Sequence, residues 1–525
     1  MSAIVTDQIR ILNARNFINE ITSSDNSYYS FVGLTNPEDY NSTWDENPPA
    51  PKDSFDEENH NWDTIIGLKK ISTDDVRFAI RKNTWSSGVT YDMYRHNINR
   101  DNISQPSLAT SLYSSNYFVI NKDYKVYICL QNGSNPENQE GRPSLDEPTF
   151  TDLEPRSAGT SGDGYIWKYL FTINPSDIVK FDTLNYITVP TDWESNANYQ
   201  SVRLNAKSSG QLKIAKILSR GVDVGPANQI YTCSIVGDGT GAEATIVVDN
   251  QSKVDSVVIS KGGSGYTYAK IDLTSGNFPQ DSTTDPSFEV IIPPKDGHGY
   301  DIYRELGCTR VLIFSQIKND ATNPDFIVGN KISRIGIIAN PLAFNSQELL
   351  STNQVSSLYA LKLTGVNDVD DYKSAIFTPN ATITQTVSAG STAIGRVVSY
   401  NKNTGVLKYW QDRTSHGFNY DLSANNFDAG RSPYGDDLVE FTSNIGSGGS
   451  LNILGSNQTL QIDNNFDGDI FTINNLNYYL GQSFNNGISN PEVKKYSGDL
   501  IYVDNRPSIT RSQNQREDIK IVLQF

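Results

Sequence analysis

Gly164-Tyr-Ile-Trp-Lys-Tyr-Leu-Phe-Thr-Ile173, closed by Asn174-Pro-Ser176, decides how the rest of the chain is read. Tyr165, Trp167, Tyr169 and Phe171 fall on alternate positions, the period of a strand and not of a helix. Large aromatics at that spacing fit a pleated, half-buried surface, and the Asn-Pro pair stops the run. The same grammar recurs on both sides of it. Val76–Ile80, Tyr117–Ile120 and Lys125–Gln131 alternate as strands, and Ser27–Gly33 precedes them as another.

Further along, Gly237-Asp-Gly-Thr-Gly-Ala-Glu-Ala-Thr-Ile-Val-Val248, a turn at Asp249-Asn250, and Val254-Asp-Ser-Val-Val-Ile-Ser260 predict a β-hairpin. A looser echo follows at Gly390–Tyr400, Asn401–Gly405 and Val406–Trp410. Two copies do not make a solenoid. Arg310–Ser315 and Ile335–Ala339 read as buried strands, the second stopped by Pro341. The tail offers two more, the last being Glu517–Phe525, which is expected to join an existing sheet because an unpaired edge is sticky. Two helices are expected. One is near the start, with Ile4, Ile9, Leu12, Phe17 and Ile21 on one face and Thr6 with Asp7 as the cap. The other covers 56–72 on Trp62, Ile65, Ile66 and Leu68. The fold class that follows is mainly β with a minor helical part.

Composition agrees and excludes several classes. The chain has 525 residues, 43 Lys+Arg against 60 Asp+Glu, and a net charge of −17. Such a surface repels a polyanion, so no nucleic-acid partner is expected. Mean hydropathy is −0.46, and no apolar run is long enough to span a bilayer, so no membrane insertion is expected. The first residues have no basic region followed by an apolar stretch, which predicts no secretory signal. Cys129, Cys233 and Cys308 are odd in number and far apart, neither a disulfide framework nor a zinc knuckle.

No catalytic constellation is legible in the sequence. The chain has no phosphate-binding Gly-rich loop with Lys, no HExxH and no GxSxG. The glycines of 237–241 precede a strand, whereas a phosphate cradle needs a helix N-terminus. His60, His96, His298 and His416 lack metal-ligand spacing and read as loop histidines with one hydrogen bond each. Asp463, Asn465, Asp467 and Asp469, with Gly468 at the sharp turn, match the first part of a calcium loop. Position 12 is Asn474 and not the bidentate Glu, so the plainer reading is an acidic turn between strands, and no cofactor is expected. Sixty acids single out no pair for glycoside chemistry.

Three stretches taken in order carry a resemblance. Tyr29–Gly33 leads to Trp44 and Pro48-Pro-Ala-Pro-Lys-Asp-Ser54. Gly162-Asp-Gly-Tyr-Ile-Trp-Lys-Tyr-Leu-Phe171 is followed by Thr188-Val-Pro190. Ser497-Gly-Asp-Leu-Ile-Tyr-Val-Asp-Asn-Arg-Pro-Ser-Ile509 precedes the last strand. Together they resemble the baseplate wedge subunit of T-even-type contractile-tailed bacteriophages, the gene-product-eight family. The motif residues are Gly162, Asp163, Gly164, Tyr165, Trp167, Tyr169, Leu170 and Phe171, then Asn505, Arg506 and Pro507, with roles in packing or at an interface. The resemblance covers 1–205 (N-terminal helix and β-rich wedge core), 300–345 (return to the core) and 490–525 (C-terminal core strands). It omits 206–299 and 346–489, which read as two inserted β modules.

The resemblance implies β-sandwich domains, no catalytic residues, a homodimer, and other baseplate wedge proteins as partners. It places the protein in the virion tail baseplate after synthesis in the host cytoplasm. The Arg506 guanidinium is expected to pair with a carboxylate, within the chain or across a dimer. The alternative reading is a carbohydrate- or receptor-binding tail protein, with sugar rings stacking on Trp410, Tyr420 and Tyr434.

Overall fold

Short β-branched and aromatic runs between frequent turns give strands 40% of the residues and helices 13%. The expected mainly β class is what the chain forms. The computed structural model describes residues 5–35, 43–208, 211–318, 326, 330–388, 391–411, 439–444, 452–455, 457–512 and 515–525. Every ladder between named strands among them is antiparallel. Among the described residues no helix is long and apolar enough to cross a membrane. The chain forms two units. The first comprises Met1–Ile18, Val76–Ile313 and Ile521–Phe525; the second comprises Asn19–Asp75 and Phe314–Lys520. Residues 19–75 of the expected 1–205 core therefore belong with the later half of the chain.

In the first unit, Val76–Arg81 is flanked by Tyr186–Val189 and by the start of Arg310–Lys318. The aromatic strand is Tyr165–Thr172, and it pairs with Lys125–Asn132, which pairs in turn with Phe118–Ile120. The predicted hairpin is present as Thr240–Val248 against Val254–Ser264, in a four-stranded sheet with Ile230–Gly237 and Ala269–Ile271. Its alternating inward residues, Ala242, Ala244, Ile246 and Val248, enter a core shared with Leu212, Val224, Cys233, Val254 and Tyr266. Segment 206–299 thus has its own core. It is tied to the preceding part of its unit by Glu289, whose carboxylate accepts from Arg95 at 3.2 Å and from Asn97 at 2.6 Å. His96 Nδ1 accepts from the Ile292 amide nearby.

In the second unit, a five-stranded sheet runs in the order Gln354–Ser356, Ile65–Lys70, Tyr28–Gly33, Lys331–Ala339, Asp499–Thr510. Its inner strands Tyr28–Gly33 and Ile65–Lys70 bury residues on both faces, as a covered sheet requires. Tyr29, Phe31, Ile65, Leu68 and Ile338 enter one core. Val32 and Ile66 enter another with Ile317, Leu358, Val398 and Trp410. A larger sheet holds the predicted second hairpin, Ser391–Asn401 against Val406–Trp410, and Gly468–Ile473 pairs with Leu476–Phe484 as a two-stranded ribbon. The C-terminal strand, Arg516–Gln524, lies beside Arg310–Lys318, as expected of a strand seeking an edge.

Two helical expectations need correction. The first helix is Asp7–Thr22, but it buries Ile11, Ala14, Ile18 and Ile21, whereas Ile9 and Leu12 are 48% and 53% exposed. The buried stripe follows spacings of three and four, and the chosen residues straddled two faces. The second helix stops at Thr64, and Ile65–Lys70 is a strand. A β-branched Ile-Ile pair in an apolar run suits a central strand better than a helix. Ser54 caps the helix that remains by accepting from the Glu57 amide.

Candidate functional site

The motif residues gather in two places. In the first unit, Gly162 and Gly164 adopt φ of +71° and +85°, and a Cβ on Gly164 would stand 2.8 Å from the Gly133 Cα. Between them the Asp163 carboxylate accepts from the amides of Leu145 (2.9 Å) and Tyr165 (3.0 Å), closing the turn that launches the strand. Tyr165, Trp167, Leu170 and Phe171 are fully buried. Tyr165 stacks on Trp167 with centroids 5.2 Å apart, and Tyr91 meets both edge-on. The Tyr165 hydroxyl donates to the Arg142 carbonyl and accepts from the Tyr91 amide, so its polar tip is satisfied inside the core. Tyr169 is half-buried, its hydroxyl paired with Thr172.

Lys168, on the opposite face of this strand, is 1% exposed. Its ammonium donates to the Leu153 carbonyl (2.6 Å) and the Asn205 side chain (3.1 Å). Burial pushes its pKa down to about 8, against the opposing pull of Glu305 and Glu154. Nearby, His298 Nδ1 lies 2.5 Å from Glu305 Oε1, and the second Glu305 oxygen accepts from the Gly299 amide. His298 was expected to be an ordinary loop histidine; it is buried against the Tyr94 ring. Nothing local in the sequence announces its burial, because the ring packed on it, Tyr94, comes from a distant part of the chain.

The second cluster centres on Arg334, which sequence reasoning passed over. It is 1% exposed. Its Nε donates to Asn505 Oδ1 (3.0 Å), one terminal nitrogen to Thr64 Oγ1 (3.2 Å) and the other to Glu57 Oε1 (3.4 Å), while its guanidinium lies 5.8 Å from the Trp44 ring centroid. Asn505 also donates to the Pro49 carbonyl, and Asp45 accepts from the Ser508 amide. The Pro-rich loop and the Asn-Arg-Pro motif therefore meet in one place. A register shift between Ile332 and Arg334 lets the edge strand bulge there, which accommodates Pro507, a residue that cannot donate to a ladder. Arg506 itself is exposed and makes an in-chain contact, Nε to Asp504 Oδ2 at 2.6 Å. The buried arginine that gathers partners is Arg334.

In the acidic loop at 463–469 two of the carboxylates have partners within the chain. Asp463 accepts from the Asn465 amide and lies 3.9 Å from Lys362 Nζ, and Asp467 accepts from the Asn486 amide. Among the described residues no group of three or more His, Cys, Asp or Glu side chains is placed to hold a metal ion. Lys362 is buried, with its ammonium 4.5 to 5.7 Å from the rings of Tyr372, Phe471 and Phe466. Trp410, one of the expected sugar platforms, is 1% exposed and therefore offers no face to a ligand. Tyr420, Tyr434 and His416 lie outside the described residues.

These geometries define a class first: a mainly β protein in two units, in which Gly162–Gly164 form a turn and Tyr165, Trp167, Leu170 and Phe171 are buried. Comparison with known proteins then narrows it. Residues 3–154 match the family described as Bacteriophage T4, Gp8. Over 210 residues the chain is 28% identical to the baseplate wedge protein gp8 of Enterobacteria phage T4, a match covering 36% of this chain and 60% of that protein. The resemblance to the gene-product-eight family is borne out by these matches. The family match contains Trp44 and the Pro-rich loop; Gly162–Phe171 and Asn505–Pro507 lie beyond it.

Proposed function

We propose that this chain is a structural subunit of the tail baseplate wedge of a contractile-tailed bacteriophage. It assembles with other wedge proteins, works as a homodimer and catalyses no reaction. Its place is the virion, after synthesis in the host cytoplasm. The observation that carries this reading is the match of residues 3–154 to the family and of 210 residues to a baseplate wedge protein. The packing supports it: the motif residues fix turns, a buried aromatic strand and a buried arginine, the rigid framework an assembly component needs. Segments 206–299 and 346–489 are insertions that leave this framework in place.

Light scattering after size exclusion should give twice the monomer mass, and the purified chain should be incorporated when mixed with the other wedge proteins of its phage. A monomer that never joins them removes the proposal.

A further inference from the structure

The second unit carries a groove of about 590 Å³. It lies where the Ser391–Asn401 and Val406–Trp410 hairpin meets the Leu476–Phe484 strand, and the residues that matter are Tyr400, Asn401, Lys402, Lys408, Tyr478 and Tyr479. Its volume falls in the range of small-ligand pockets, roughly 300–1,000 Å³.

Its lining departs from the chain that carries it. The protein has 60 acids against 43 bases, yet among the described residues no Asp or Glu lines the groove, whereas the exposed Lys402 and the buried Lys408 do. Tyr478 and Tyr479 are 39% and 43% exposed. Lys402 and Asn401 are exposed at the hairpin turn, and Tyr400 is half-buried with its hydroxyl held by the Tyr372 carbonyl at 2.5 Å. An exposed tyrosine ring, a carboxamide and the Lys402 cation together suit the C–H faces, hydroxyls and carboxylates of acidic sugars.

The hairpin strands give an extended peptide no edge here. Ser391–Asn401 is paired on both sides, by Thr382–Ser388 and Val406–Trp410. Val406–Trp410 is likewise flanked, by Ser391–Asn401 and Tyr359–Gly365. Those two strands offer side chains and no free edge for strand addition. We propose that this groove binds an acidic oligosaccharide, with Tyr478 stacking on a sugar ring and Lys402 pairing with a carboxylate. The proposal does not rest on Trp410 and is independent of the wedge reading.

The test is calorimetric titration of the full chain with trigalacturonate, with maltotriose as the neutral control and an acidic Glu/Tyr peptide as the competing class. Saturable binding of trigalacturonate, stronger than that of maltotriose and weakened at least tenfold by Lys402→Ala and by Tyr478→Ala, is expected. Both changes are at exposed positions, and an unaltered melting midpoint certifies each variant; Lys402→Glu serves if Tyr478→Ala does not fold. Absence of saturable trigalacturonate binding, binding unchanged by the Lys402 variants, or binding of the peptide alone overturns the proposal. Dimerisation and wedge assembly are read separately, so either conclusion can fail without the other.

Discussion

Trp44 donates its indole N–H to the carbonyl oxygen of Arg506 at 3.0 Å, across 462 positions of sequence. Beneath this contact lies Arg334, whose guanidinium joins Asn505, Thr64 and Glu57. The carbonyl of Arg506 matters here, and its charge is turned outward.

That division predicts unequal losses. Arg334→Ala leaves Glu57, Thr64 and Asn505 without their buried cation and should lower unfolding free energy by roughly 3–5 kcal/mol. Arg506→Ala removes an exposed ion pair and keeps the carbonyl, so its cost should stay within about 0.5 kcal/mol. Urea denaturation of both variants measures the difference; equal losses would contradict the role given to Arg334.

The two glycines before the aromatic strand should also separate. Gly162 has positive φ and nothing within 4 Å of an added Cβ, so Gly162→Ala should cost only the left-handed backbone preference, about 1 kcal/mol. In Gly164→Ala the same preference is joined by a backbone collision with Gly133, and the loss should exceed about 2 kcal/mol. Thermal melting of the pair settles the order.

Lys168 makes a pH prediction whose sign follows from its lowered pKa. The folded chain gives up this proton near pH 8, whereas the unfolded chain holds it to about 10.5. Between those values the unfolded state binds more protons, so this group's contribution to stability rises with pH, by roughly 3 kcal/mol at most. Buried and half-buried tyrosines oppose it. Tyr28, Tyr29, Tyr113 and Tyr199 are pushed by burial from 10.0 up to about 12, and the stability they lend is lost as pH climbs from 10 through 12. Denaturation midpoints from pH 7 to 10 should rise more steeply in the wild type than in Lys168→Met, and parallel profiles would refute the assignment.

At residues 463–469, chelation is expected to leave the melting midpoint unchanged. Asp463 lies beside the Lys362 ammonium and Asp467 holds the Asn486 amide, an arrangement in which the cation is already supplied by the chain. A midpoint that rises with added calcium and falls with chelator would reverse this.

Much of the fold was legible because strand periodicity is local. The alternating Tyr165–Phe171 run, the Thr240–Val248 and Val254–Ser264 hairpin, and the stop at Asn340-Pro341 can each be read within about ten residues. The boundary at Thr64–Ile65 was misread because the apolar run Ile65-Ile-Gly-Leu68 fits a buried helix and a central strand equally, and only its neighbours in the sheet decide. Of the candidate residues, the motif glycines and aromatics were identifiable, whereas Arg334, Lys168, Lys362 and the His298–Glu305 pair carry no local mark.

The sequence by itself determined the β class, most strands and hairpins, the acidic balance and the family resemblance, since each depends on composition or on side chains a few positions apart. Tertiary structure decided which helix face is buried, that residues 19–75 join the later half of the chain, and that Trp44, Arg334 and Asn505 share one cluster. A charged or polar group is stable in a core only with its partners in place. Those partners are brought from hundreds of residues away by strand pairing, so no local pattern could announce them.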